Sequence, residues 1–257
     1  MLDWLKRRRV ARTLERRAIP DALWRLTLAR FPFLAARSVE DTQQLRELAT
    51  LFLATKEFTG TDGLQVNDEM GVAIAAQACL PVLKLGLANY DGFVGIVVHA
   101  DAVVAQREFM DEDGIVHEYE EELSGEAMQG GPVMLSWVDV DDAAASAEVG
   151  YNVVVHEFVH VLDMRNGQAD GVPALPDRAA RDEWVRVLGD EYDAFCARVD
   201  AEEETLLDPY AAEAEEEFFA VASEAFFVAP RDFKAEHPRL YELLGGYFKQ
   251  DPAAQLP

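Results

Sequence analysis

VVVHEFVHVLD, residues 153–163, is the stretch on which the reading of this 257-residue chain turns. It sets His156, Glu157 and His160 in an H-E-x-x-H spacing. On an α-helix, residues four apart lie on one face with Cβ atoms about 5–6 Å apart. Two imidazoles at that separation can share one zinc ion, with Zn–N near about 2.0–2.1 Å. The valines favour a strand by propensity. In a strand the two histidines would share a face but stand about 13 Å apart, at a rise of about 3.3 Å per residue. Helix and metal therefore stand or fall together. The chain has only five histidines, so composition alone yields this pattern by chance on the order of 1% of the time. Two histidines and a glutamate in so apolar a helix are costly to bury without a compensating ion.

A catalytic zinc takes three protein ligands and keeps one position for water. Downstream, His237 is the only remaining histidine, and it precedes Pro238 at an expected helix end. A stronger source is EAEEEFFAVASEAFF, residues 213–227, a helix by composition with Phe218, Ala222 and Phe226 among its apolar positions. Glu213, Glu215 and Glu216 read as a solvated acidic face. Glu217 and Glu224 are seven apart and share a face flanked by apolar side chains. A carboxylate there needs a partner, and a metal supplies one.

Working outward, the spacing predicts helices over 20–30, 38–57 and 67–79, the second capped by Ser38 and the third by Asn67 or Asp68. Strands are predicted over 93–104, 114–123 and 132–140, set off by Gly125, Gly130 and Gly131. Helical patterning returns from about Ala143. Helices, a small sheet, then helices make the fold class α+β. The expected organisation is a basic arm (1–20) and a single catalytic domain (21–257). That domain has a helical part (21–80), a small sheet (92–140) and the ligand-bearing helices (147–228).

Composition bounds the function. Apolar residues reach 50%, too many for a disordered chain. Lys and Arg number 23 against 48 Asp and Glu, a formal charge of −25. An acidic chain repels phosphate, which argues against direct nucleic-acid binding. Residues 1–20 run the other way, with seven basic side chains against two acidic. This arm is expected to tether to the acidic body or fray. Arg12, Glu15, Arg16 and Arg17 interrupt any signal-peptide core there. No apolar window is long enough to predict a transmembrane helix. Two distant cysteines, Cys79 and Cys196, read as reduced thiols and suggest a cytoplasmic protein.

HEFVHVLDMRNG (156–167), DPYAAEAEEEFFAVASEAFF (208–227), GLANYDGF (86–93) and QGGPVMLSW (129–137) together resemble the Mlc titration factor A family of zinc metallopeptidases. The resemblance runs from about Ala49 to Pro252. The two ligand-bearing segments are also similar to the catalytic domain of anthrax lethal factor. The resemblance implies a zincin-like, gluzincin-type fold, mostly helical with a small mixed β-sheet. It implies one Zn²⁺ per chain, held by His156, His160 and, as third ligand, Glu217. Where the family often has a proline before its Ala-Glu pair, this chain reads AEAEEEF, which sets Glu215 and Glu216 beside that ligand. The tyrosine seven residues before the third ligand falls on Tyr210. The resemblance also implies aminopeptidase-type activity on peptides and, for enteric members, binding to the glucose-responsive transcriptional repressor Mlc.

The residue types then suggest a mechanism. Glu157 would act as general base toward the attacking water, and Tyr210 would donate to the developing oxyanion. Asp163 and Glu224 are candidates to orient the ligands. The segment PVMLSW could pair with substrate backbone along a sheet edge. His99 and His117 are expected to carry no function. The competing class is a regulatory binding protein that sequesters a repressor, its metal site structural or vestigial.

Overall fold

A computed structural model describes residues 2–110, 116–146 and 150–255. Helices α1 (Leu2–Arg17), α2 (Asp21–Arg30), α3 (Pro32–Ala35) and α4 (Val39–Leu53) open the chain, followed by β1 (Glu57–Gly60) and α5 (Asp68–Ala78). Five strands come next: β2 (Gly95–His99), β3 (Val103–Met110), β4 (Val116–Leu123), β5 (Gly125–Ala127) and β6 (Val133–Ser136). The remainder is helical: α6 (Trp137–Ser146), α7 (Val153–Asp163), α8 (Arg178–Asp200), α9 (Glu215–Val228), α10 (Pro230–Glu236), α11 (Pro238–Phe248) and α12 (Pro252–Gln255).

The main sheet has the order β1-β2-β6-β5. Its first three strands are parallel and β5 runs antiparallel to β6. β3 and β4 form a separate antiparallel ribbon, with Val103 opposite Leu123 and Met110 opposite Val116. The expected class, a mostly helical α+β fold with a small mixed sheet, is the one observed.

Several local expectations are corrected. The helix expected over 38–57 ends at Leu53. The backbone N–H groups of Thr55 and Lys56 donate to the Phe52 carbonyl, the Thr55 hydroxyl bonds the Leu51 carbonyl, and Glu57–Gly60 then leaves to pair with β2. The stretch 93–104 is not one strand: it holds all of β2 and the first residues of β3, in different sheets. The strand expected over 132–140 stops at Ser136, whose Oγ accepts from the backbone N–H of Asp139 and starts α6. Val140 and Ala143, three apart, are then buried as one helical face. β6 lies between β2 and β5, so PVMLSW offers no free edge, and the outer strand on that side is β5. The basic arm forms helix α1, which touches α4 and exposes Arg7, Arg8, Arg9, Arg12, Arg16 and Arg17. Part of the strand expected over 114–123, and the side chain of His117, lie outside the described residues.

α7 runs through the core. Val153, Val154, Val155, Phe158, Val159 and Leu162 are buried on nearly every side of it. A helix apolar all round is a core helix, and burial of this kind overrides the strand preference of valine. Asn152 starts α7 by accepting from Val155 N at 2.8 Å. Phe158 stacks among Phe52, Tyr90 and Phe93, at centroid distances of 5.6, 5.1 and 5.8 Å. α9 packs across α7 and is buried continuously from Phe218 to Phe227.

Gly171 pins the start of α9. Its N–H donates to Asp163 Oδ2 at 2.8 Å, and its carbonyl accepts from Trp184 Nε1 at 2.8 Å. Its φ is +71°, and a Cβ there would sit 2.7 Å from the Glu215 carbonyl oxygen. Gly171→Ala is therefore expected to destabilise the protein by about 1–3 kcal/mol and to push the first turn of α9 away from α7. Chemical denaturation, together with divalent-metal affinity, reads both effects.

Candidate metal centre

Three side-chain atoms from two helices converge at one point. His156 and His160, one turn apart on α7, bring their Nε2 atoms to 3.0 Å. Oε2 of Glu217, in the first turn of α9, lies 3.1 Å from His156 Nε2 and 3.4 Å from His160 Nε2. Donors at about 2.0–2.1 Å from a tetrahedral ion stand about 3.3 Å from one another, which is the spacing found. Glu217 Oε2 is buried and makes no well-aligned hydrogen bond despite its two close neighbours. Lone pairs facing one another in this way fit a metal ion, and His156, His160 and Glu217 are the group among the described residues that could hold one.

Glu224 lies behind the first imidazole. Two turns after Glu217, its Oε1 sits 2.8 Å from His156 Nδ1. A carboxylate there selects the tautomer with hydrogen on Nδ1 and leaves Nε2 as a lone pair toward the centre. The other oxygen, Oε2, accepts from the backbone N–H of Asn152. The Asn152 amide in turn donates to Gln77 Oε1 at 2.7 Å. The residue that caps α7 thus also bonds the carboxylate that contacts His156.

The electrostatics follow from burial among mixed charges. Burial disfavours the His156 imidazolium, but the close carboxylates of Glu217 and Glu224 outweigh it and hold the ring well above its ordinary pKa. Burial also presses on Glu217, yet the two imidazoles hold its carboxyl well below the usual range. Glu157 and Glu224 go the other way, raised chiefly by burial.

Glu157 is buried against the sheet, with its Oε2 unpartnered. A Cβ on Gly125 of β5 would sit 2.6 Å from both Cγ and Oε1 of Glu157. Only glycine admits the carboxylate so close to the strand. In front of Glu157 and His156 opens a cavity of about 440 Å³, walled by Tyr151, Val153, Leu206, Tyr210, Val221 and Ala225 among others. Tyr210 stands on the short 3₁₀ helix Pro209–Ala212, whose start Asp208 caps. Its ring centroid lies 6.3 Å from that of His156, and the residue is 39% exposed.

Other candidates lie elsewhere. Asp163 spends its hydrogen bond on Gly171 rather than on an imidazole, and burial pushes its carboxyl up to about 6. His237 is buried beside Glu191, at 3.3 Å, away from the three converging atoms. Glu215 is exposed and Glu216 half-buried; neither joins the cluster. His99 Nδ1 pairs with the Thr61 hydroxyl at 2.9 Å. Sequence reasoning passed over Asn152 and Tyr151 and read Gly125 only as a break between strands. An Asn just before a run of valines is a cap signal, so Asn152 was within reach; nothing local signals the contact of Gly125 with Glu157 or the place of Tyr151 on the cavity wall.

Comparison with known proteins agrees with this geometry. Residues 3–249 match the family described as glucose-regulated metallo-peptidase M90. The chain is 36% identical over 248 residues to the Mlc titration factor A of Enterobacter sp. (strain 638), covering 92% of this chain and 90% of that one. It is 35% identical over 245 residues to the protein of the same name from Salmonella arizonae, covering 92% and 94%. An Escherichia coli relative, again Mlc titration factor A, is 35% identical over 242 residues, covering 91% and 88%. With a family match spanning nearly its whole length and a pair of histidines meeting a glutamate at metal spacing, this chain belongs to the glucose-regulated metallo-peptidase M90 family.

Proposed function

We propose that the protein is a zinc-dependent peptidase of aminopeptidase type, with one Zn²⁺ per chain held by His156, His160 and Glu217. The single observation that carries this is the 3.0, 3.1 and 3.4 Å triangle of ligand atoms with the Glu157 carboxylate beside it. Two imidazoles and one carboxylate suit zinc better than the oxygen-seeking Mg²⁺ or Ca²⁺. When bound, zinc supplies Lewis acidity, polarising a carbonyl and bringing the ionisation of a water toward neutral pH.

The chain's own residues do the rest. Glu157 takes the proton of the attacking water and passes it to the leaving amine. Gly125 keeps that carboxylate close to the substrate track. The Tyr210 hydroxyl donates to the oxyanion as it develops on the peptide carbonyl. Glu224, tied to Asn152, holds His156 in its tautomer. Asp163 acts at a distance, through Gly171 and the start of α9. The outer edge of β5 offers backbone groups for pairing with an extended peptide. We place this activity in the cytoplasm, on the reduced thiols that two separated cysteines suggest. No helix among the described residues is long and apolar enough to cross a membrane.

A second reading rests on the relatives' name. A titration factor for Mlc suggests that this chain also binds a repressor of that kind, with no need of catalysis. Glu157 separates the two, since a structural metal site has no use for a base beside it.

Glu157→Gln is expected to retain zinc and lose turnover of short chromogenic aminoacyl amides by about 10²–10⁴-fold. Unchanged turnover would remove Glu157 from the mechanism, and a parent protein that cleaves nothing would favour the binding protein. The proton on His156 must leave as the metal enters. Its raised pKa means that zinc affinity climbs with pH through and above neutrality, with measurable proton release. Calorimetric titration in buffers of differing ionisation enthalpy checks the sign. Affinity independent of pH would contradict it.

A further inference from the structure

A second cavity, of about 300 Å³, opens at the other end of β5. Three separate stretches meet there: Asn89, Asp91 and Phe93 from the loop after α5, Met128 and Gln129 just past β5, and Val161, Met164 and Arg165 at the end of α7. β5 and α7 run side by side in the same sense. Gly125 packs on Glu157, and Met128 shares this cavity with Val161. Glu157 and Val161 are one helical turn apart, about 6 Å along the axis. Gly125 and Met128 are about 10 Å apart along an extended chain. The two cavities therefore lie toward opposite ends of β5, the first at Gly125, His156 and Glu157 and the second one helical turn further along α7.

We infer that this second cavity is a substrate subsite, taking an apolar side chain two or three residues to the carboxyl side of the bond that is cleaved. The occupant is an extended peptide laid along β5, so the inference rests on the peptide-directed reading of the metal centre. Four observations support it. The cavity lies at the far end of a strand that starts at the metal-site cavity and whose outer edge is unpaired by any other strand among the described residues. Its floor is apolar, from Phe93, Val161 and two methionines, whose flexible thioethers adapt to differing side chains. Met128 is 42% exposed, and Val94, beside the same loop, is 52% exposed, so apolar surface is left uncovered at this end of the sheet. Finally, the wall is pre-formed. The Lys56 ammonium donates to the carbonyls of Tyr90 and Phe93, both at 2.5 Å, and sits 3.6 Å over the Phe93 ring. Arg165 bonds the Asn89 side chain, and Gln129 bonds the Gly167 carbonyl, closing the rim. A rigid wall loses little entropy when a ligand arrives.

The test is the affinity of the full-length Glu157→Gln protein for fluorescent peptides of two to eight residues, read by anisotropy. Affinity should rise at least about tenfold as the peptide grows long enough to reach Met128, and an apolar residue at one position should account for the rise. Met128→Asp should erase the rise, while Val39→Asp, at an exposed apolar residue elsewhere, should keep it. Affinity independent of length, or a rise that survives Met128→Asp, overturns the inference. Failure of the peptidase reading shows differently: the parent would cleave no peptide, yet the dependence on length would persist as peptide binding alone.

Discussion

Everything at the centre depends on where α7 crosses α9. His156 is gripped from both ring nitrogens by carboxylates seven apart on the crossing helix, Glu217 on one side and Glu224 on the other. Buried ionisable groups are stable only when paired, protonated or bound to an ion. Here two imidazoles face three carboxylates, counting Glu157, inside an apolar shell. A cation at the triangle of Nε2, Nε2 and Oε2 relieves that excess of acid, and a proton on His156 does part of the same work without it. The metal and the packing of the two helices are thus one problem, and a shift of α9 would disturb both.

The surroundings divide the tasks. Rigid, fully packed elements carry the ligands, and α7 is locked by the rings of Phe52, Tyr90 and Phe93 on Phe158. Loops and strand ends form the walls that a substrate would touch: Ser124 and Gly125 on one side, Thr205 to Tyr210 on the other. Placing ligands on helices keeps their geometry within a fraction of an ångström, while walls made of loops can vary without disturbing it. Gly171 and Gly125 are the points where the two tasks meet. Each lets a backbone approach something that a methyl group would push away, the start of α9 in one case and the Glu157 carboxylate in the other.

The misread elements share a cause. Residues 54–57 carry no breaker, so local signals extended α4 through them; pairing with β2 drew Glu57–Gly60 into the sheet. In SWVDV the alternation of apolar and polar residues mimics a strand, and a single hydroxyl from Ser136 turned it into a helix start. The edge assigned to PVMLSW went to β5, a three-residue strand too short to show any period. In each case the local preference lost to a contact that the apolar and polar pattern does not register: a pairing with β2, a cap three residues back, or a short strand beside β6.

By itself the sequence determined the local chemistry. Spacing four along α7 aligned two imidazoles, spacing seven along α9 aligned two carboxylates, and the pattern of helices around a β-rich middle set the class. These are properties of a single helix or a single segment, where periodicity and distance along the chain are the same thing. Only the tertiary structure decided which of the two carboxylates meets both imidazoles and which lies behind one, since His156 and Glu224 are 68 residues apart. It also decided that Asn152 anchors Glu224, that Gly125 seats Glu157, and that three distant stretches enclose a second cavity. Those contacts depend on how helices cross and strands order, and crossing geometry comes from the packing of the whole core rather than from any one stretch of it.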